Sequence, residues 1–180
     1  MMRFLVLLIT MTVMLLAQDV KQIYAFEGAY NGLVTQKYAT TTPDNTTMHT
    51  AGFKLGAKEN NMRLFVSYRY LFLGSLSGTR GHSGGAELDY FLDMGMLGVY
   101  VGPVGGWAIY DFTGADTQSR TLNSPYVGAN VGATLRLGSI EIEGGARYWY
   151  YLNGAVNTVS SQLYTVQDTM TLYAALNLLF

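Results

Sequence analysis

Residues Met170–Phe180, M-T-L-Y-A-A-L-N-L-L-F, decide the fold because they place an apolar side chain at every second position. A period of two puts such side chains on one face of a β-strand. The opposite face is mixed. The segment is therefore either an amphipathic strand of a soluble β-protein or a strand whose apolar face contacts a membrane. The apolar row consists of Met170, Leu172, Ala174, Leu176, Leu178 and Phe180, and the mixed row of Thr171, Tyr173, Ala175, Asn177 and Leu179.

The same alternation recurs along the chain and predicts eight strands. Each is close to the roughly 9–11 residues that a tilted strand needs to cross a bilayer. The fifth segment is the least regular, and Pro103 within Gly102–Gly106 predicts a bulge or kink there because proline cannot donate to the ladder. The predicted strands are Ile23–Val34, Met48–Lys58, Met62–Phe72, Ala86–Met94, Leu97–Tyr110, Tyr126–Leu137, Ile140–Leu152 and Met170–Phe180.

The connections between these strands alternate in length. Those after the second, fourth and sixth strands are short, and those after the odd-numbered strands are long and polar. Membrane barrels have short turns at one end, longer loops at the other and an even strand number. Both termini then fall at the short-turn end. The short connections are Glu59–Asn61, Gly95–Met96 and Gly138–Ser139, and the long ones are Thr35–Thr47, Leu73–Gly85, Asp111–Pro125 and Asn153–Gln167.

One strand register follows from turn length alone. If Gly138-Ser139 is a two-residue hairpin turn, Arg136 lies opposite Glu141 and Leu137 lies opposite Ile140. The charged pair then shares one face and the apolar pair the other, whereas a slip of one residue would exchange the faces. Glycine at the first turn position permits the positive φ that such turns require.

The N-terminal segment predicts export. Arg3 precedes the apolar run Phe4–Ala17, which ends in a small residue, as in a secretory signal peptide. The alternative, a transmembrane helix, needs about 20 apolar residues, and this run is shorter. We expect residues 1–17 to be the signal peptide, with an uncertain cleavage site, and residues 18–180 to form one domain.

Composition narrows the class of protein further. The chain has no cysteine, so disulfides cannot hold an exported domain together. Charged residues make up only 13% of it, and without Arg3 ten basic residues face twelve acidic ones, 10 − 12 = −2. This balance disfavours nucleic-acid binding, which requires a basic surface.

The charged rows decide which face points inward. They contain few charges of nearly balanced sign, together with bulky Phe65, Phe91, Tyr126, Trp149 and Tyr151, while the opposite rows are apolar and end in aromatic residues. A charge at midplane on the lipid face would cost about 2–4 kcal/mol for Arg or Lys. We therefore predict an inward charge network of Glu27, Lys54, Arg63, Arg69, Glu87, Asp89, Asp93, Arg136, Glu141, Glu143 and Arg147.

An eight-stranded interior is just wide enough for side chains, so these charges should pair across the lumen and plug it. Expected neighbours are Glu27 with Lys54, Arg69 with Glu87 and Asp89, and Arg63 with Asp93. The alternative is a narrow or gated pore in which the same ion pairs open transiently.

This layout resembles the small eight-stranded bacterial outer-membrane proteins of the OmpA-barrel and OmpX type. The resemblance covers Ile23–Phe180 as architecture: the loop order, the inward charges and the aromatic C-terminus. It implies an all-β, up-and-down transmembrane barrel, monomeric, with both termini periplasmic. It further implies contact with outer-membrane lipid and lipopolysaccharide, and recognition by the barrel-assembly machinery through the C-terminal strand.

Functions differ within that group, so the fold alone does not identify the function of this chain. We expect a non-enzymatic structural or surface role, in envelope integrity or in adhesion to a host or envelope ligand through the long loops. A lipid A-modifying enzyme is an alternative, because His82, Ser83 and Glu87 superficially resemble a His/Ser/Glu set. We interpret His82-Ser83 as part of a hydrated loop instead. No residue set has zinc spacing, and no cofactor, ligand site or catalytic residue is predicted.

Overall fold

The computed structural model describes residues 20–38, 44–74, 80–113, 119–153, 155–156 and 164–180. The predicted signal peptide, residues 1–17, lies outside these ranges. No helix among the described residues is long and apolar enough to cross a bilayer.

Eight antiparallel strands form a closed barrel, in which each strand pairs with its neighbours in chain order and the last pairs with the first. A two-residue strand, β8, pairs with β9 beyond the last pair that β7 forms with β9. This confirms the predicted all-β, eight-stranded antiparallel barrel. The strands are β1 Lys21–Tyr38, β2 Asp44–Glu59, β3 Met62–Gly74, β4 Arg80–Met94, β5 Leu97–Thr113, β6 Ser119–Leu137, β7 Ile140–Tyr151, β8 Ala155–Val156 and β9 Tyr164–Leu179.

The three predicted short turns join β2 to β3, β4 to β5 and β6 to β7. Asn60, Gly95 and Gly138 adopt positive φ values of 50°, 88° and 70° at these turns. The predicted hairpin register is confirmed, with Arg136 opposite Glu141 and Leu137 opposite Ile140. The N-terminal end of β1 and the C-terminus meet at this end of the barrel through reciprocal backbone hydrogen bonds between Gln22 and Phe180.

At the opposite end, the strands continue into all four predicted loops. β1 runs to Tyr38, β2 starts at Asp44, β4 starts at Arg80 and β6 starts at Ser119. The predicted boundaries were too short because apolar alternation marks only the part of a strand that has an apolar face. Beyond that part a hairpin can continue with polar residues on both faces, held by its backbone hydrogen bonds.

The predicted bulge in β5 is wrong. β5 pairs with β4 in one register on both sides of Pro103, since Glu87 lies opposite Val104 and Tyr90 lies opposite Val101. Pro103 also keeps its place opposite Ala129 on β6. Pro103 lacks a backbone N–H, but the pairing of β5 with both neighbours continues past it without a shift in register.

The sidedness of the wall matches a membrane barrel and excludes an apolar interior of the soluble type. Phe26, Leu92 and Leu176 face outward with exposed fractions of 64%, 48% and 44%, whereas Arg69 and Glu143 are 1% exposed inside the barrel. Such an outer surface would be unfavourable in water but is matched to hydrocarbon. The barrel thus presents apolar side chains to its surroundings and encloses its ionised groups.

Candidate functional site

The lumen holds most of the predicted inward charges in its centre and its short-turn half. Nine of them are at most 5% exposed, and Arg136 and Asp93 lie more openly at the short-turn rim, with side-chain exposures of 25% and 36%. These charges come from alternate residues of β1, β2, β3, β4, β6 and β7, since inward positions recur with period two. The nine buried residues are Glu27, Lys54, Arg63, Arg69, Glu87, Asp89, Glu141, Glu143 and Arg147; we call them the charged tier.

Glu27 is the hub of the part of the charged tier nearest to the loop end. Its two carboxylate oxygens accept hydrogen bonds from Arg147 Nη1 and Nη2, both at 2.9 Å, in a bidentate arrangement. Arg69 Nε donates to Glu27 Oε1 at 2.8 Å. Both arginines also contact Glu87, Arg147 at 3.4 Å. Two guanidinium groups thus share two carboxylates, and each bond is of the strong, charge-assisted kind.

Arg63 is the hub of the part nearer to the short turns. It donates to Asp89 at 2.9 Å, to Glu141 at 3.1 Å and to Glu143 at 3.2 Å. The Arg63 guanidinium also lies over the rings of Phe91 and Tyr100, at 4.7 Å and 4.4 Å from their centroids. One cation therefore serves three acidic residues on two strands, and aromatic rings cover its faces.

Lys54 connects the two hubs. Its Nζ donates to Glu143 at 2.8 Å and lies 3.9 Å from Glu27 and 4.0 Å from Glu87. This single ammonium group touches carboxylates of both parts of the charged tier. The predicted proximity of Glu27 and Lys54 is present in the structure.

Two asparagines donate hydrogen bonds to carboxylates of the charged tier, and sequence reasoning did not single them out. Asn130 Nδ2 donates to Glu87 at 3.3 Å and to Asp89 at 3.0 Å. Asn177 Nδ2 donates to Glu141 and Glu143 at 3.2 Å and 3.0 Å. Each amide bridges two carboxylates on one strand and reduces their repulsion. The available signal was their position on the predicted polar faces.

Two of the expected charge contacts are wrong. The β3–β4 register places Arg63 opposite Asp89 and Arg69 opposite Ser83. Arg63 therefore binds Asp89 rather than Asp93, and Arg69 contacts Glu87 but forms no ion pair with Asp89 among the described residues. Asp93 lies beyond the end of β3, where it pairs with Arg136 at 2.9 Å and Lys58 at 3.4 Å. Register across a long connection could not be deduced from turn length.

Above the charged tier, the loop-side half of the lumen is filled by apolar and aromatic side chains, which we call the aromatic tier. Trp149 stacks on Tyr126 with ring centroids 4.4 Å apart. Tyr151 donates a hydrogen bond to the Tyr110 hydroxyl at 3.1 Å and lies 3.2 Å from Thr169 Oγ1. The aromatic tier consists of Leu71, Val104, Ala108, Tyr110, Leu122, Tyr126, Trp149 and Tyr151.

His82 and Ser83 lie on strand β4 rather than in a loop, which corrects the predicted location. Because they are adjacent on a strand, they point to opposite faces: Ser83 is 4% exposed inside the lumen, and His82 is exposed on the outer surface. His82 Nδ1 bonds the Tyr68 hydroxyl at 2.6 Å. The two residues cannot form the nucleophile–base pair that covalent catalysis requires.

Taken together, the described charges in the lumen pair with one another, while the Nε atoms of Arg63 and Arg147 and the amide oxygens of Asn130 and Asn177 have no hydrogen-bond partner among the described residues. No group of acidic, histidine or cysteine residues within the described ranges could hold a metal ion. Burial strips each charge of its water, which would cost several kcal/mol for an unpaired ion. The ion pairs offset this cost. The arrangement is suited to closing the lumen and holding its walls together.

Comparisons with known proteins give likeness of fold. No family model and no curated protein sequence matches the chain. The structure is similar to neisserial surface protein A, with a TM-score of 0.68 and 16% identity over 89% of this chain and 97% of that one. A major outer membrane protein of Thermus thermophilus matches with a TM-score of 0.54 and 11% identity, over 89% and 99%. The attachment invasion locus protein Ail of Yersinia pestis, solved with a heparin analogue, matches with a TM-score of 0.48 and 13% identity, over 89% and 99%. The fold is that of small outer-membrane barrels.

Proposed function

We propose that the chain is a monomeric, non-enzymatic barrel of the bacterial outer membrane that strengthens the envelope and presents a surface for external contacts. The single observation that carries this proposal is the division between its faces. Apolar side chains such as Phe26 and Leu176 face outward, while charges such as Arg69 are buried inside. Fold-level likeness to outer-membrane proteins supports the same location.

The orientation in the membrane follows from the side from which the chain inserts. A chain exported to the periplasm inserts with its short turns remaining there and its longer connections outside. The first residues of β1 and the last residue of the chain meet at the short-turn end, where Gln22 bonds Phe180. We therefore place the termini in the periplasm. The C-terminal strand β9 is the element that the barrel-assembly machinery would recognise.

The role of the lumen is closure. The charged tier ties five of the eight wall strands through ion pairs, since Glu27, Lys54, Arg63, Glu87 and Glu143 lie on β1, β2, β3, β4 and β7. Asn130 on β6 and Asn177 on β9 add hydrogen bonds to the same carboxylates. The aromatic tier closes the loop-side half. In planar bilayers the refolded protein should therefore remain silent. Steady single-channel conductance would favour a small pore, the alternative function.

The surface role is tested in cells. A deletion strain should become more sensitive to detergent or lose adhesion to host surfaces. The parent gene should restore whichever property is lost. An unchanged strain in both assays would remove this proposal. For the enzyme alternative, lipid A from the deletion strain should have the parent's mass spectrum, because His82 and Ser83 face opposite sides of the wall.

A further inference from the structure

The outer surface of β4 changes character sharply near the loop end. From Met94 to Gly84 its outward positions are apolar or glycine, and the next two outward residues are His82 and Arg80, both exposed. Apolar bands of membrane barrels are about 25 Å tall and end at the headgroup region. His82 and Arg80 therefore lie where the outer-leaflet headgroups begin.

The imidazole of His82 is held in a fixed orientation. Its Nδ1 bonds the Tyr68 hydroxyl at 2.6 Å, and its ring lies 5.1 Å from the Tyr70 ring and 5.9 Å from the Tyr68 ring, centroid to centroid. When the Tyr68 hydroxyl donates to Nδ1, the neutral ring carries its hydrogen on Nε2; the protonated ring donates from both nitrogens. In both states Nε2 is a hydrogen-bond donor.

Arg80 adds a permanent positive charge on the same face of β4, two residues nearer to the loops. A guanidinium group beside an oriented N–H donor matches the oxygens of a phosphate group, which Arg binds with particular geometric fit. Asp111 lies opposite Arg80 on β5, where it accepts a hydrogen bond from Thr121 at 2.8 Å. This carboxylate lowers the net positive charge of the surface.

From this geometry we infer that Arg80, His82, Tyr68 and Tyr70 form a docking surface for the phosphate of a phosphorylated glycolipid in the outer leaflet. The tyrosine rings contact the sugar and the upper acyl region, as amphipathic rings do at membrane interfaces. His82 and Arg80 bind the phosphate. The inference rests on the proposed outer-membrane location, because only there does this end of the wall meet such a leaflet.

The test exploits the presence of only two histidines, His49 and His82. The full chain, labelled with ¹⁵N-histidine, is inserted into phosphatidylcholine nanodiscs that contain either bisphosphorylated lipid A or the same lipid A with its phosphates removed. The ring-nitrogen resonances of His82 should shift in a saturable way with the phosphorylated lipid only. His49, whose ring packs against Tyr30 with centroids 5.4 Å apart, serves as the internal reference.

Variants assign the effect to the surface. Arg80→Ala should weaken binding of the phosphorylated lipid about fivefold, because a cation at a lipid surface contributes about that factor to binding. Tyr68→Phe should change the tautomer signature of His82, and Asp111→Asn should strengthen binding. Tyr148→Phe, which alters a hydroxyl at the same end of the barrel on β7, is the matched control and should leave binding unchanged.

Equal shifts with both lipids, a shift confined to His49, or unchanged binding in Arg80→Ala would overturn the inference. Saturation of His82 by inorganic phosphate at the same concentration would overturn the assignment to a lipid-borne group. Each sample is first scored for β-sheet circular dichroism and for heat-dependent migration on a detergent gel. Failure to insert would contradict the proposed location as well, whereas insertion without discrimination would contradict this inference alone.

Discussion

The two tiers of the lumen pack the same barrel interior by different kinds of interaction. In the charged tier, Arg63 serves three carboxylates at 2.9–3.2 Å, and removing it would leave each of these buried acidic groups with one cation fewer. In the aromatic tier, Trp149 and Tyr126 fill space by stacking, and removing either ring would leave an apolar gap. The cost of a lost ion partner exceeds that of a lost contact, so the tiers should differ in how they tolerate substitution.

The boundary between the tiers lies at Trp149. The Arg69 and Arg147 guanidinium carbons are 5.6 Å and 5.8 Å from its ring, so the cations of one tier pack against the aromatic surface of the other. Cation–π contact lets this junction stay tightly packed without a further acidic residue. Side chains of the wall strands thereby occupy this part of the interior.

The sharpest way to separate the tiers is to replace Arg63 by Leu. Three acidic residues would lose a buried partner, and we expect the free energy of unfolding to fall by about 3–5 kcal/mol. Urea-induced unfolding in lipid vesicles measures this change. Lys21→Gln at the exposed start of β1 is the control and should stay within about 0.5 kcal/mol of the parent. A loss in Arg63→Leu no larger than in the control would show that the charged tier contributes nothing to stability.

In the aromatic tier, Leu122→Ala should cost less, about 2–3 kcal/mol, because it removes buried contacts and leaves a cavity but no charge. Leu122→Met keeps the volume and should cost less than about 1.5 kcal/mol. The same unfolding assay compares them. If Leu122→Ala destabilised the barrel as much as Arg63→Leu, the distinction between the tiers would fail.

Much of this organisation could be deduced from the sequence, and the limits have physical causes. Alternation in segments such as Tyr126–Leu137 identified the strands and the inward face, and the Gly138-Ser139 turn gave the register that joins Arg136 to Glu141. Partners across longer connections could not be derived, because loop length does not constrain register. For that reason Arg63 was expected to meet Asp93 and instead binds Asp89.

Neutral groups in the site were harder to predict than charged ones. Asn130 and Asn177 each bridge two carboxylates, but an asparagine on a polar face has no pattern that distinguishes this role from solvent exposure. The extension of β4 to Arg80 was missed because polar strand residues lack apolar alternation. That error placed His82 in a loop. On the outer face of β4 it instead contacts Tyr68 and Tyr70.

Glycines offer an intermediate test of inner against outer packing. A Cβ at Gly132 would collide with the Tyr100 hydroxyl in the lumen and with the Gly144 carbonyl oxygen, whereas a Cβ at the outward Gly144 would meet nothing within 4 Å. Gly132→Ala should lower the free energy of unfolding by about 1–2 kcal/mol through overpacking. Gly144→Ala is its matched control and should be neutral or slightly stabilising. Equal effects in urea unfolding would contradict the tight interior packing.

The smallest expected effect concerns one hydroxyl. Tyr151→Phe removes the hydrogen bonds to Tyr110 and Thr169 within the aromatic tier and should cost about 1 kcal/mol. The neighbouring Tyr150 faces outward, so Tyr150→Phe should change the free energy of unfolding by less than about 0.5 kcal/mol. A larger loss in the outward variant would reverse the assignment of faces for this part of β7.

The sidedness of the wall is tested most directly by cysteine labelling, because the native chain contains no cysteine. Single cysteines at 170–177 on β9 carry a spin label, and relaxation by oxygen dissolved in the bilayer is compared with relaxation by a water-soluble nickel complex. Labels at Met170, Leu172, Ala174 and Leu176 should be accessible to oxygen, and labels at Thr171, Tyr173, Ala175 and Asn177 should be shielded from it, with a period of two. High oxygen accessibility at the second set, or no alternation, would contradict the placement of the charges inside and the apolar residues against lipid.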